Sequence, residues 1–314
     1  MRKSTKNIID TITINNRNAQ NNARIWKLLL TLQQLLFYSN SEKMKKALLA
    51  VLVYFLITQL LAGAAAIAIA MILKTDPKGG IPENIMALCM SVTIVIAIIV
   101  CWKGLKVMRI PETFCTTDIK WGWALVAIVA CAFGAFAGNL LTEMANLPNM
   151  IEDLELDLAR NIWGILAIAI LGPIAEELLF REGVCGYLAR NGMNPWKAIW
   201  ISAILFGIVH VNPAQVPFAM LLGLMLGIIY IKTGNIVVCS IVHMLNNSFA
   251  VVQVWLLGDK IKDFSLVEGV GGEVVAGLCI IVSAALCFYL LRRFWETTPR
   301  GTSDGGQGYR GGLH

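Results

Sequence analysis

Charge is what this chain has least of. Only 15% of its 314 residues are Asp, Glu, Lys or Arg. None of them falls in Ala47–Leu73, Asn84–Trp102, Trp121–Thr142, Asn161–Ala175, Ala198–Ile231, Thr233–Gly258 or Val274–Leu291. A water-facing surface cannot be assembled from such stretches, and a mean hydropathy of +0.68 with 57% hydrophobic residues excludes an ordinary soluble domain. The eight cysteines (89, 101, 115, 131, 185, 239, 279, 287) show no CxxC spacing. They read as small hydrophobes rather than disulfide or metal ligands. HExxH is absent, so no single helix offers two His ligands with a glutamate between them. No internal repeat is evident, and histidine occurs only at positions 210, 243 and 314.

What remains is a series of apolar runs, most of them long enough to cross about 30 Å of hydrocarbon at about 1.5 Å per residue. Ala198–Ile231 is too long for one span, and Asn212-Pro213 with Pro217 breaks it into two antiparallel helices. The Asn161 run is interrupted by acids, but the helix can continue through Arg181 to about Arg190. The expectation is an all-α polytopic membrane bundle of about eight transmembrane helices. Ala62-Gly-Ala-Ala-Ala resembles a signal-cleavage site, yet the apolar run continues to Leu73, which favours an uncleaved anchor.

The net charge of +6 does not mark a nucleic-acid binder. Residues 1–46 hold nine Lys/Arg and two acids, so everything after them sums to about −1. Lys43, Lys45 and Lys46 set the cytoplasmic side, and alternate loops then place Lys103, Lys106, Arg109, Lys120, Arg190, Lys197, Lys232, Arg292 and Arg293 with them. This predicts an integral membrane protein with both termini cytoplasmic, in a bacterial inner membrane. The longest outer loop is acidic, and Met150–Arg160 reads as a helix lying on the outer surface. Three regions follow: a polar and amphipathic extension over 1–43, a membrane domain over 44–295 with its core at 160–255, and a disordered tail over 296–314. Met44-Lys45-Lys46-Ala-Leu-Leu-Ala also resembles a bacterial start, so the extension competes with an assigned start placed too far upstream.

Two adjacent acids organise the chemistry. Glu176 and Glu177 follow fifteen uncharged residues, where each carboxylate costs at least about 2.5 to 3.5 kcal/mol and needs a role or a partner. Arg181 stands four residues after Glu177, on the same helix face. Glu176 is rotated about 100° away and is the free acid. His210 and His243 lie inside apolar runs at comparable depth, and His243 shares a face with Asn247 at i+4. Glu176 beside His210 can take a proton from water, and the N–H groups of His243 and Asn247 suit a developing oxyanion. The combination reads as hydrolysis.

Glu176-Glu177-Leu-Leu-Phe-Arg181, Phe206-Gly-Ile-Val-His210 and His243-Met-Leu-Asn-Asn247 resemble the ordered EExxxR, FxxxH and HxxxN motifs of the CPBP intramembrane proteases. That family comprises CAAX prenyl endopeptidases and the Abi proteins of bacteriocin processing or immunity. The resemblance covers about residues 160–255. It implies an eight-helix bundle with a cavity opening to the cytoplasm, in which Glu176 activates water with His210 while His243 and Asn247 form the oxyanion hole. Glu177 and Arg181 match the supporting part of the first motif. Glu182 departs from the pattern, where Gly is common, and the N-terminal extension lies outside it.

The family is usually labelled metalloprotease, and Glu176, His210 and His243 form a two-His, one-carboxylate set that zinc accepts. Adjacent glutamates pointing about 100° apart cannot share one ion from a regular helix, so a metal-free glutamate mechanism is favoured. The expected partners are a membrane-anchored or lipidated protein or peptide substrate and membrane lipids. Two other classes compete: a proton-coupled transporter, weakened by the lack of an inverted repeat, and a non-catalytic immunity or scaffold protein that keeps the fold.

Overall fold

The computed structural model describes residues 42–74, 81–114, 121–258, 260, 265–269 and 271–298. The extension expected over 1–43 and the tail over 296–314 lie outside them, apart from residues 42–43 and 296–298. Among the described residues every regular element is helical. In chain order these are α1 (Glu42–Ile72), α2 (Glu83–Gly104), α3 (Trp121–Met144), α4 (Glu152–Arg160), α5 (Ile162–Arg190), α6 (Pro195–Ile208), α7 (Val216–Thr233), α8 (Ile236–Leu257) and α9 (Gly272–Thr297), with a single helical turn at Ile110–Thr113.

Seven of these helices are long and apolar enough to cross a membrane. The expected eighth is α6, and it falls short. At 14 residues it reaches about 21 Å, because its helix stops before the Asn212-Pro213 break. The cysteine reading holds in one respect: seven described cysteines are free and six of those are buried.

Three asparagines start the helices that carry the site. Asn161 accepts from the backbone N–H groups of Trp163 and Gly164 at the head of α5. Asn194 accepts from Trp196 and Lys197 ahead of Pro195, and Asn235 accepts from Val237. Each satisfies donors that a helix N-terminus leaves orphaned. Gly234, at φ 65°, takes the left-handed conformation that ends α7, so α7 turns into α8 across Gly234-Asn235. Gly207 lets α6 lie against α7: a Cβ there would strike Met220 and sit 2.9 Å from the Val216 carbonyl.

The loops gather at two ends. At one, Glu182 joins Arg109 to Arg190, Trp196 stacks on Trp295, and Lys232 lies over the Trp295 ring. At the other, Trp255 donates to the Ala159 carbonyl, and Glu143 accepts from Ser265, Leu266 and Val267. The surface helix expected over 150–160 is α4, at this second end, with acids Glu152, Asp153 and Glu155 in its first turn.

Candidate active site

The helix that carries the two glutamates is not regular. α5 widens into π-helical turns at Leu166–Leu171 and again at Leu178–Gly186. Pro173 supplies a cause for the first. Gly172 donates to the carbonyl of Ala167, so the next carbonyl, that of Ile168, would look to residue 173 for its N–H. Proline has none. The side chain of Asn247 fills the gap, donating from Nδ2 to the Ile168 carbonyl at 2.8 Å. α8 is thereby tied to the irregular part of α5, and Asn246 donates in turn to Asn247 Oδ1. Such widened turns recur at functional sites because they re-aim the side chains that follow.

From there a line of four side chains runs through the bundle. Arg181 Nε stands 2.9 Å from Glu177 Oε2, with both side chains fully buried, as the i, i+4 spacing required. The contact is ionic but not aligned as a hydrogen bond, and the guanidinium lies with its Cζ 4.3 Å from the centre of the Phe206 ring. The other oxygen of Glu177 accepts from His243 Nδ1 at 2.9 Å. The opposite ring nitrogen, His243 Nε2, faces Glu176 Oε2 at 3.7 Å. His243 is itself buried, whereas the Glu176 side chain keeps 25% of its surface exposed. The two glutamates do diverge, and the divergence lets them straddle one imidazole.

His210 is close by but differently held. It sits in the turn just past the end of α6, not on a helix at full depth as the length of the apolar run suggested. Its Nδ1 is 2.7 Å from the Phe206 carbonyl. A carbonyl only accepts, so Nδ1 carries the proton and Nε2 is the open nitrogen. Phe206 meets both histidines edge to face, at 4.9 Å from His210 and 5.6 Å from His243. The histidine that approaches Glu176 is His243.

A protein-family model described as type II CAAX prenyl endopeptidase, Rce1-like, matches residues 158–249, the stretch that holds every group in this line. The chain is 27% identical over 206 residues to "Putative membrane peptidase YdiL" of Bacillus subtilis (strain 168), covering 60% of this chain and 83% of that one. It is 29% identical over 103 residues to the membrane-embedded CAAX protease MroQ of Staphylococcus aureus (strain USA300), covering 31% and 42%. These matches support a CPBP family intramembrane protease. No solved structure matches the chain. It is an integral membrane protein with a CAAX-type protease domain.

The zinc set considered from the sequence was Glu176, His210 and His243. Among the described residues no three His, Cys, Asp or Glu side chains are placed to share an ion.

The reading of the CPBP motifs also missed a buried group. Glu182, fully buried, stands 2.7 Å from Arg190 and 3.6 Å from Arg109 Nε, accepts from the Arg109 backbone N–H at 3.0 Å, and accepts from the hydroxyl of Tyr230. The sequence signal was present in the isolated acid at 182 and the arginine eight residues on. Its partners at 109 and 230 come from a loop and from another helix and could not be paired by spacing.

Proposed function

We propose that the protein is an endopeptidase hydrolysing a peptide bond in a membrane-associated substrate, either a CAAX-type prenyl protein or a small bacteriocin-like peptide. Glu176 activates the water, and the reaction uses no resident metal. The observation that carries this reading is the line Arg181–Glu177–His243–Glu176, which ends on the one partly exposed carboxylate of the set.

Glu177 holds His243 with its Nδ1–H towards the carboxylate. In the neutral ring Nε2 then presents a lone pair to Glu176, and the two are arranged to pass one proton between them. A water between Glu176 and the open Nε2 of His210 loses a proton to Glu176 as its oxygen attacks the scissile carbonyl carbon. That proton is relayed to His243, whose imidazolium is stabilised by Glu177. The same proton returns to the leaving amine when the C–N bond breaks.

Oxyanion stabilisation is then shared differently from the sequence reading. Neutral His243 has no N–H on the Glu176 side and donates only once protonated. Asn247 has one amide N–H committed to Ile168 and a second left for the oxyanion. The end of the bundle that collects Arg109, Arg190, Lys197 and Lys232 faces the cytoplasm of a bacterial inner membrane, with both termini on that side.

The test is to incubate the purified protein, Glu176→Gln and His243→Ala with membrane-anchored peptide libraries and identify cleavage products. The wild type should cut at defined bonds. Each variant should lose roughly 10²- to 10⁴-fold in rate, the usual contribution of a positioned acid–base group. Cleavage that persists at wild-type rate in Glu176→Gln overturns the reading.

A further inference from the structure

His210 lies beyond the last turn of α6, where no helix fixes its direction. Towards α6 it is held by the 2.7 Å contact of Nδ1 with the Phe206 carbonyl. On the other side comes Val211, with φ at 58°, a conformation that a β-branched residue adopts only when its surroundings impose it. Val211 is 52% exposed, so the imposing contacts are not its own. They belong to Asn212, which is 2% exposed.

Asn212 uses every polar group it has. Its side-chain Oδ1 accepts from the Met150 N–H at 3.0 Å, and its Nδ2 donates to Asn149 Oδ1 at 2.7 Å. Its backbone N–H donates to the His210 carbonyl at 2.6 Å, and its own carbonyl accepts from Gln215 and Val216 at the head of α7. Gln215 adds a side-chain hydrogen bond to Glu155. The segment that leads into the first turn of α4, at positions 149–155, therefore grips the turn that carries His210, about sixty positions away in sequence.

We propose that Asn212 is a positioning residue for His210, and that the segment 149–155 is the splint against which it holds the ring. The inference rests on the catalytic reading of His210 above. A loop whose contacts served folding alone would not need a buried amide satisfied on both ends within two residues of the ring. An imidazole held by one backbone hydrogen bond would otherwise swing about the strained residue beside it, and an active-site group displaced by an ångström loses most of its effect.

The experiment measures kcat, KM and the pH dependence of kcat for wild type, His210→Ala, Asn212→Ala and Asn149→Ala on one cleavable membrane-anchored peptide, with rates expressed per folded molecule. Asn212→Ala should lower kcat roughly 10-fold or more with KM little changed, and should displace the histidine limb of the pH profile. Asn149→Ala, which removes an exposed partner and leaves the buried amide in place, should shift the same limb by less. If His210→Ala cleaves normally, the catalytic reading fails and the inference falls with it. If His210→Ala is inactive while Asn212→Ala and Asn149→Ala keep wild-type kcat and pH profile, the splint is wrong and the catalytic reading stands. Should Asn212→Ala not fold, Asn149→Ala decides alone.

Discussion

The side-chain amide of Asn247 donates to the carbonyl of Ile168 at 2.8 Å, the carbonyl whose next partner along α5 would have been the missing N–H of Pro173. A third motif residue thus repairs a defect created three residues before the glutamates. Asn247→Ala is expected to lose about 1–3 kcal/mol of stability, the usual result of leaving a buried polar group unpaired. Pro173→Ala returns an N–H to that position, so the double variant should recover part of the stability but none of the lost cleavage. Thermal unfolding in detergent beside a cleavage assay reads both. A double variant as unstable as Asn247→Ala would break the link between the two positions.

Disturbing the surroundings of the two glutamates should have different consequences for stability. Glu176→Gln should leave stability close to wild type, since that side chain is partly exposed and its contact with His243 is 3.7 Å, longer than a hydrogen bond. Arg181→Ala should be strongly destabilising, because it leaves Glu177 buried beside His243 with its cation gone. Removing one member of a buried pair costs about 3–5 kcal/mol. Denaturation midpoints compared across the two variants test this, and equal stability losses would contradict it.

Glu182 sits in the same class. Glu182→Ala removes the buried carboxylate that joins Arg190 to Arg109, while Glu182→Gln keeps an acceptor for Tyr230 and the Arg109 N–H. The alanine variant should lose about 3–5 kcal/mol and the glutamine variant clearly less. Yield and melting temperature of the purified variants decide it.

How far these groups could be read in advance depended on whether their partners were local. The Glu177–Arg181 pair was legible because i, i+4 spacing decides it, and α4 and the Asn212-Pro213 break were legible from composition and backbone chemistry. The all-α membrane bundle followed from uncharged runs alone. His243 was read as an oxyanion donor beside Asn247 because they share a face, but its Nδ1 is claimed by Glu177 of another helix. His210 was placed at helical depth because its run is uncharged, and only the fold shows that the helix ends before it. The widening of α5 depends on Pro173, Asn247 and Ile168 together, and no single-helix pattern contains all three.

Glu155, on the acidic surface helix, gives a pH effect of definite sign. Burial pushes its carboxyl above 4.5, while the hydrogen bond from Asn149 pulls the other way and nearby Glu152 adds to the rise. The folded state therefore holds this proton more tightly than the unfolded chain, and ionising it at neutral pH costs stability. Stability should rise as pH falls from neutrality through the raised value towards 4.5, and Glu155→Gln should flatten that part of the profile. Melting temperature against pH for both proteins checks it, and an unchanged slope in the variant would remove Glu155 as the cause.

Metal removal supplies the last test. Cleavage should survive exhaustive chelation, and purified active protein should contain far less than one zinc per chain. Activity lost on chelation and restored by stoichiometric zinc would require His210, His243 and Glu176 to rearrange from their observed positions, and would replace the proposed mechanism.

α6 ends about 21 Å from its start, in a layer about 30 Å thick. A helix that short creates a hydrophobic mismatch on this flank of the protein. A bilayer meeting that mismatch thins locally over the α6–α7 turn, beside His210. The headgroup layer on that side therefore comes nearer to His210 than it would beside a full-length helix.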